Sequence, residues 1–280
     1  MMPMARRFLF SLVLGLSLPL ISEAFEGSPQ QPTSLLSWNI GAGDLLRADT
    51  AACRLGVYLD ELAARGDRRE IRIIYTHEWG PFILEHWIPV IRAKGFRLNI
   101  ILSQWAGDKD INLLETWIHE GLPSIADLVD GVQLANEPDG GGGDSEMSPS
   151  DFAAWHRQIA PIVRQVVPGV PIISPDMYSR GTPYVKKTGL QYGQDFDIYS
   201  LHTTGRSNSG AKSTWKSARK HSRVDRPRVW ITEGSKKHSK GLGARIERNY
   251  IYTWNCNNEE DCDSRMRRPD EDDIPQCEMN

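Results

Sequence analysis

Along the chain, short apolar runs of strand length alternate with longer segments whose apolar residues recur every three or four positions. Residues 34–41 read as a first strand ending in Trp38 and Asn39, and Leu55, Tyr58, Leu59 and Leu62 then share one helical face. A second strand over residues 70–76 ends near His77, Glu78 and Trp79, and the next helix carries Ile83, Trp87, Val90 and Ile91 before Gly95 stops it. Residues 98–105 give a third strand, closing on Gln104 and Trp105, with a helix over 111–119 after it. The fourth strand spans residues 129–135 and runs into Asn136, Glu137, Pro138 and Asp139. Four glycines, Gly140 to Gly143, then exclude helix and demand a loop.

The second half repeats the rhythm. Ser148 followed by Pro149 is a helix start, and Phe152, Trp155, Ile159, Ile162, Val163 and Val166 form its apolar stripe up to Pro168 and Gly169. Strands are expected over residues 170–174, 196–202 and 228–232, the last delivering Glu233. Tyr178 lies just past the fifth strand. A basic, weakly patterned helix covers about 211–221, and a further helix is expected from about 244 to 254. Seven strands in alternation with helices, the fifth without a recognised helix after it, argue for parallel strands with right-handed crossovers. The architecture expected is a TIM-type (β/α)8 barrel, whose active sites lie at the C-terminal strand ends. The runner-up, an open doubly wound sheet, lacks the Gly-rich phosphate loop after its first strand. No apolar run of strand length follows Trp254, so the eighth β/α unit is expected to be missing or atypical.

The chain ends differ from this body. Arg6 and Arg7 precede an apolar stretch over residues 8–21 and then Ser22, Glu23 and Ala24, the pattern of a signal peptide over residues 1–24. That stretch is shorter than the roughly 20 residues a spanning helix needs. A secreted or periplasmic protein is expected, with no membrane contact once the signal is removed. Residues 25–255 form the barrel on this reading, and 256–280 a polar acidic tail expected to be disordered. Of 280 residues, 40% are hydrophobic and 25% charged, which suits a globular chain of barrel size. A net charge of −3 gives no overall basic footprint for nucleic acid.

Of the four cysteines, Cys53, Cys256, Cys262 and Cys277, export permits disulfides, and Cys256 with Cys262 could close a short loop although spacing does not fix connectivity, while Cys53 is expected as a packed thiol inside its helix. No Cys and His set has zinc spacing, and Pro81 stands where His77–Glu78 would need a second His. Neither a metal nor another cofactor is expected.

Asn136-Glu137-Pro138 after strand four, with Ile231-Thr232-Glu233-Gly234 after strand seven, resembles glycoside hydrolase clan A, the cellulase-like retaining barrels. The resemblance covers about residues 34–254 and implies Glu137 as acid/base, Glu233 as nucleophile and Asn136 as a ligand of the sugar 2-hydroxyl. His202 stands where that clan often has a His-x-Tyr segment near the nucleophile, although Thr204 occupies the third position here. Trp38, Asn39, His77, Gln104, Trp105 and Tyr178, at or beyond strand ends, are candidate sugar contacts, the aromatic ones by stacking. The chemistry agrees with the resemblance: retaining cleavage needs two carboxyl groups about 5 Å apart, one to protonate the leaving oxygen and one to attack. The expected partner is a β-linked glycan. Two alternatives stay open, a truncated barrel that binds carbohydrate without cleaving it and a barrel hydrolase that uses Glu and His with a metal.

Overall fold

A computed structural model describes residues 36–40, 51–103, 110–139, 147–175, 182–203, 207–234, 241–242 and 245–252, with the backbone alone at 36–40, 51, 54, 182, 208, 251 and 252. The expected signal peptide, the glycine loop, Gln104, Trp105, Tyr178 and the acidic tail lie outside these residues. So do Cys256, Cys262 and Cys277.

Eight strands form one parallel sheet in the order β5-β4-β3-β2-β1-β8-β7-β6. They are β1 (Leu36–Ile40), β2 (Glu70–Ile74), β3 (Arg97–Ser103), β4 (Val129–Ala135), β5 (Ile172–Ile173), β6 (Tyr199–His202), β7 (Val229–Gly234) and β8 (Arg248–Tyr252). The two ends of that order also meet. Ile173 bridges Ile198 in parallel, and Ser174 N–H donates to Ile198 O at 2.8 Å.

The helices are α1 (Ala51–Ala64), α2 (Gly80–Phe82), α3 (Ile88–Ala93), α4 (Ile111–Gly121), α5 (Pro149–Val166), α6 (Thr182–Thr188) and α7 (Asn208–Ser222). A π-helical turn, Ile83–Trp87, joins α2 to α3, with Ile88 N–H reaching Ile83 O. Pro89 has no N–H for the ordinary ladder there, and the widened turn passes over it. At the start of α5 the hydroxyl of Ser148 accepts from Asp151 N–H, with Pro149 in the first turn, as the sequence predicts. Leu55, Leu59 and Leu62 of α1 and Phe152, Ile159 and Val163 of α5 are buried, so the apolar stripes are the faces laid on the sheet.

Three expectations are corrected. The residues expected as a last helix over 244–254 instead contain β8, hydrogen-bonded between β1 and β7. An eighth strand therefore exists where the sequence reading found none. Its inward charge hid it: Arg248 and Tyr250 both donate to Glu70 of β2, whose carboxylate is 2% exposed. Arg248 Nη2 also reaches Asp130 Oδ2 of β4 at 3.3 Å. A charge buried with its counter-charge looks, in sequence alone, like a solvent residue. Second, α6 lies between β5 and β6, a helix that the pattern did not reveal. Third, Cys53 is disulfide-bonded rather than a packed thiol.

Candidate active site

Two residues apart on β2, Glu70 and Arg72 point to the same face of the sheet and are buried. Glu70 belongs to the N-terminal strand ends. Arg72, one register step further from each neighbour, points into the opposite half. Its Nη2 donates to Gln133 Oε1 of β4 at 2.9 Å and to Asn136 Oδ1 at 3.0 Å, and its Nη1 to Glu233 Oε1 at 3.2 Å. Gln133 is held in turn by donating through Nε2 to Ala135 O at 2.8 Å. One guanidinium thus ties the ends of β4 and β7 to β2.

Glu137 follows β4 with φ of +42°, a left-handed backbone that a glutamate adopts only against strain. Its neighbours hold it there. Asn136 N–H continues the ladder to Ser103 O at 3.0 Å, and the Tyr184 hydroxyl donates to Met147 O at 2.8 Å and Pro138 O at 3.3 Å. Two further irregularities adjoin the site. The β6–β7 ladder shifts register between Leu201 and His202, and the β7–β8 ladder between Ile231 and Gly234. Such bulges re-aim a strand's last side chains. Gly234 must be glycine, because a Cβ there would lie 2.4 Å from Ile231 Cγ2 and 2.7 Å from Asn249 Oδ1.

These devices converge on His202. Its Nδ1 lies 2.7 Å from Glu137 Oε1 and its Nε2 3.5 Å from Glu233 Oε1. One ligand atom from each of Glu137, His202 and Glu233 falls within 4.8 Å of the other two. The imidazole is almost closed off, whereas the Glu137 and Glu233 side chains keep 17% and 13% exposure. Two carboxylates at this separation, reachable from solvent, match the geometry for attack and protonation on either side of one bond. The same three groups have metal-ligand spacing. Arg72 already sets a fixed positive charge 3.2 Å from Glu233, which would repel a cation bound there.

Of the residues expected from the sequence, Glu137, Glu233, His202 and Asn136 come together here. His77 sits half-buried in the turn after β2 and makes no hydrogen bond or ion pair to them among the described residues, and Glu78 is exposed. Asn39 is in register with Arg72 and Trp38 with Ile71 at the end of β1, where the backbone alone is described. Arg72 and Gln133 were missed. The available signal was a charged residue alternating with isoleucines in β2 and an amide within the apolar run of β4.

No family model matches the chain, and no curated protein matches it. Among solved structures, an exo-β-1,4-mannosidase from Opitutaceae bacterium strain TAV5 aligns over 78% of this chain and 51% of its own, with 15% identity and a TM-score of 0.58. A protein described as an endoglucanase aligns over 78% and 89%, with 13% identity and a TM-score of 0.56. A GH53 catalytic domain from Ignisphaera aggregans aligns over 80% and 86%, with 12% identity and a TM-score of 0.53. At these identities the likeness is one of fold alone, a parallel α/β architecture that the chain shares with these proteins.

Proposed function

We propose that the protein is an exported retaining glycosidase acting on β-linked glycans, with Glu137 as acid/base and Glu233 as nucleophile. The observation that carries this reading is the pair of partly exposed carboxylates, with oxygens within 4.8 Å, that follow β4 and end β7. The shared fold supports it. So does the Ile173–Ile198 bridge, on which we read the sheet as closing into a (β/α)8 barrel.

In the first step a Glu233 oxygen bonds to the anomeric carbon while the glycosidic C–O bond breaks and Glu137 gives its proton to the departing oxygen. Glu137, now ionised, takes a proton from water, whose oxygen displaces Glu233 from the same carbon. Two inversions leave the configuration retained. Arg72 orients the attacking carboxylate and Asn136 together, and His202 fixes the Glu137 carboxyl through Nδ1. Such fixed orientation is what pre-organisation of the transition state requires. The non-catalytic alternative rested on a missing eighth strand, and β8 removes that ground.

The test is hydrolysis of aryl β-glycosides, β-glucans, mannans and xylans by the whole protein beside Glu137→Gln and Glu233→Ala. Turnover on one class, lost in both variants, is expected. Added azide should restore aryl glycoside cleavage in Glu233→Ala, with glycosyl azide of inverted configuration as product, because the small anion fills the vacated space. Turnover unchanged by either substitution would overturn the assignment.

A further inference from the structure

Between residues 206 and 228 the chain carries eight Lys and Arg against a single Asp, in a protein of net charge −3. On α7 the spacing concentrates them. Lys212, Lys216 and Lys220 stand at four-residue steps, Arg219 three beyond Lys216 and Arg223 at the helix's C-cap, and with Arg245 they line one cleft. Like charges at i and i+4 oppose the helix they sit on, so this stripe is carried at a cost to α7. Arg219 pairs with Asp225, while Lys212, Lys216, Lys220 and Arg223 pair with no acid among the described residues.

The floor of the cleft is apolar. Trp215, partly exposed, donates through Nε1 to Arg245 O at 3.0 Å, and the Arg219 and Arg245 guanidiniums lie 5.8 and 5.7 Å from its ring centroid. Val224 beside it is 42% exposed. The second part of the cleft is lined by Pro227, Ile246 and Glu247, immediately before β7 and β8. It therefore lies at the N-terminal ends of those strands, the opposite end from Glu137 and Glu233.

We propose that this cleft is a second glycan-binding surface, outside the catalytic centre, that takes an acidic polysaccharide. A pyranose presents apolar C–H faces and, where it carries carboxylate or sulfate, anionic edges. Trp215 and Val224 match the faces, and the cations match the edges. The choice of glycan as the polyanion rests on the glycosidase reading above, but its test uses binding and needs no turnover.

Calorimetry of the whole protein with polygalacturonate, heparin, neutral dextran and single-stranded DNA decides the matter. Binding to polygalacturonate or heparin that weakens with salt, with none to dextran, is expected; which of the two is tighter assigns carboxylate or sulfate. Lys216→Glu should weaken that binding about tenfold. The same substitution places an acid four residues from both Lys212 and Lys220, so it should leave the melting temperature unchanged or higher. A merely structural stripe would show the stability effect without the binding effect, which overturns the proposal. No binding to either acidic polysaccharide, or tighter binding to DNA than to both, overturns it as well.

Discussion

Two clusters of buried charge occupy opposite ends of the same sheet, and β2 feeds both. At the N-terminal end, Glu70 accepts from Arg248 and Tyr250, and Asp130 takes the other arm of Arg248. The Arg248 guanidinium also lies 4.1 Å from the centre of the Trp230 ring. Burial pushes the Glu70 carboxyl up from its ordinary value, against the opposing pull of Arg248 and Tyr250. At the C-terminal end Arg72 is as deeply enclosed, but the carboxylates it organises stay partly exposed and face each other. In the first cluster the one enclosed acid, Glu70, is matched by two cations, Arg248 and Arg68, while Arg248 and Asp130 keep 14% and 23% exposure. In the second, two acids face each other across one histidine with no cation between them, an arrangement that functional sites favour. The contrast predicts that one end carries activity and the other carries stability.

The largest effect should come from the open end. Glu233→Ala is expected to lower kcat by about 10⁴-fold or more, and Glu137→Gln by about 10²–10⁴-fold, on a substrate whose leaving group needs protonation. Glu137→Gln and Glu233→Gln, which relieve the crowding of two acids but keep an acceptor for His202 and for the buried Arg72, should melt within a few degrees of the parent. A melting point lowered in step with activity would mean that Glu233 is structural and would break the comparison.

The sealed end gives the next effect, with the opposite signature. Arg248→Ala leaves Glu70 with Arg68 at 3.5 Å and Asp130 with Arg97, and the loss of one partner from a pair with one enclosed acid costs at most about 3–5 kcal/mol. Denaturant unfolding measures it. At a temperature where the variant is folded, kcat should match the parent. The deficit should also depend on pH in a stated direction. Without Arg248 the burial of Glu70 dominates further, so the folded form holds its proton above the ordinary value of 4.5. The folded state then binds more protons than the unfolded one above that pH, and stability falls as pH rises. The deficit should be smallest below pH 4.5 and grow towards neutrality. A deficit that grows on acidification would show that the Arg248 pair is not what holds this end.

Much of this organisation was readable in the sequence, and its gaps share a cause. Local signals sufficed for the strand-then-helix rhythm, for the Ser148–Pro149 helix start and for the two glutamates at strand ends. β8 escaped because Arg248 is buried only by virtue of Glu70, 178 residues earlier, and Arg72 escaped because its acceptors come from β4 and β7. Cys53 was misread for the same reason, since a disulfide is a property of two distant positions. Periodicity reports the environment of a residue's own element. It is silent about compensation from another.

Acid titration would sharpen the contrast only after a third contribution is removed. His156 of α5 belongs to neither cluster; it is 1% exposed, packed beside Phe152 with ring centroids 5.8 Å apart. Burial holds its imidazole down at about 4 from an ordinary 6.5. Between those values the unfolded chain binds a proton that the folded chain refuses, so stability is fully present above pH 6.5 and is lost as pH falls towards 4. A difference of this size corresponds to about 3 kcal/mol across the window, at about 1.4 kcal/mol per pKa unit. Activity measured in acid therefore reflects this loss of stability as well as the chemistry at the site. His156→Phe, read by thermal melts from pH 7 to 4, should flatten the loss by that amount while paying a smaller fixed penalty for the altered volume. If the melts of parent and variant run parallel, the acid sensitivity belongs to a group other than His156.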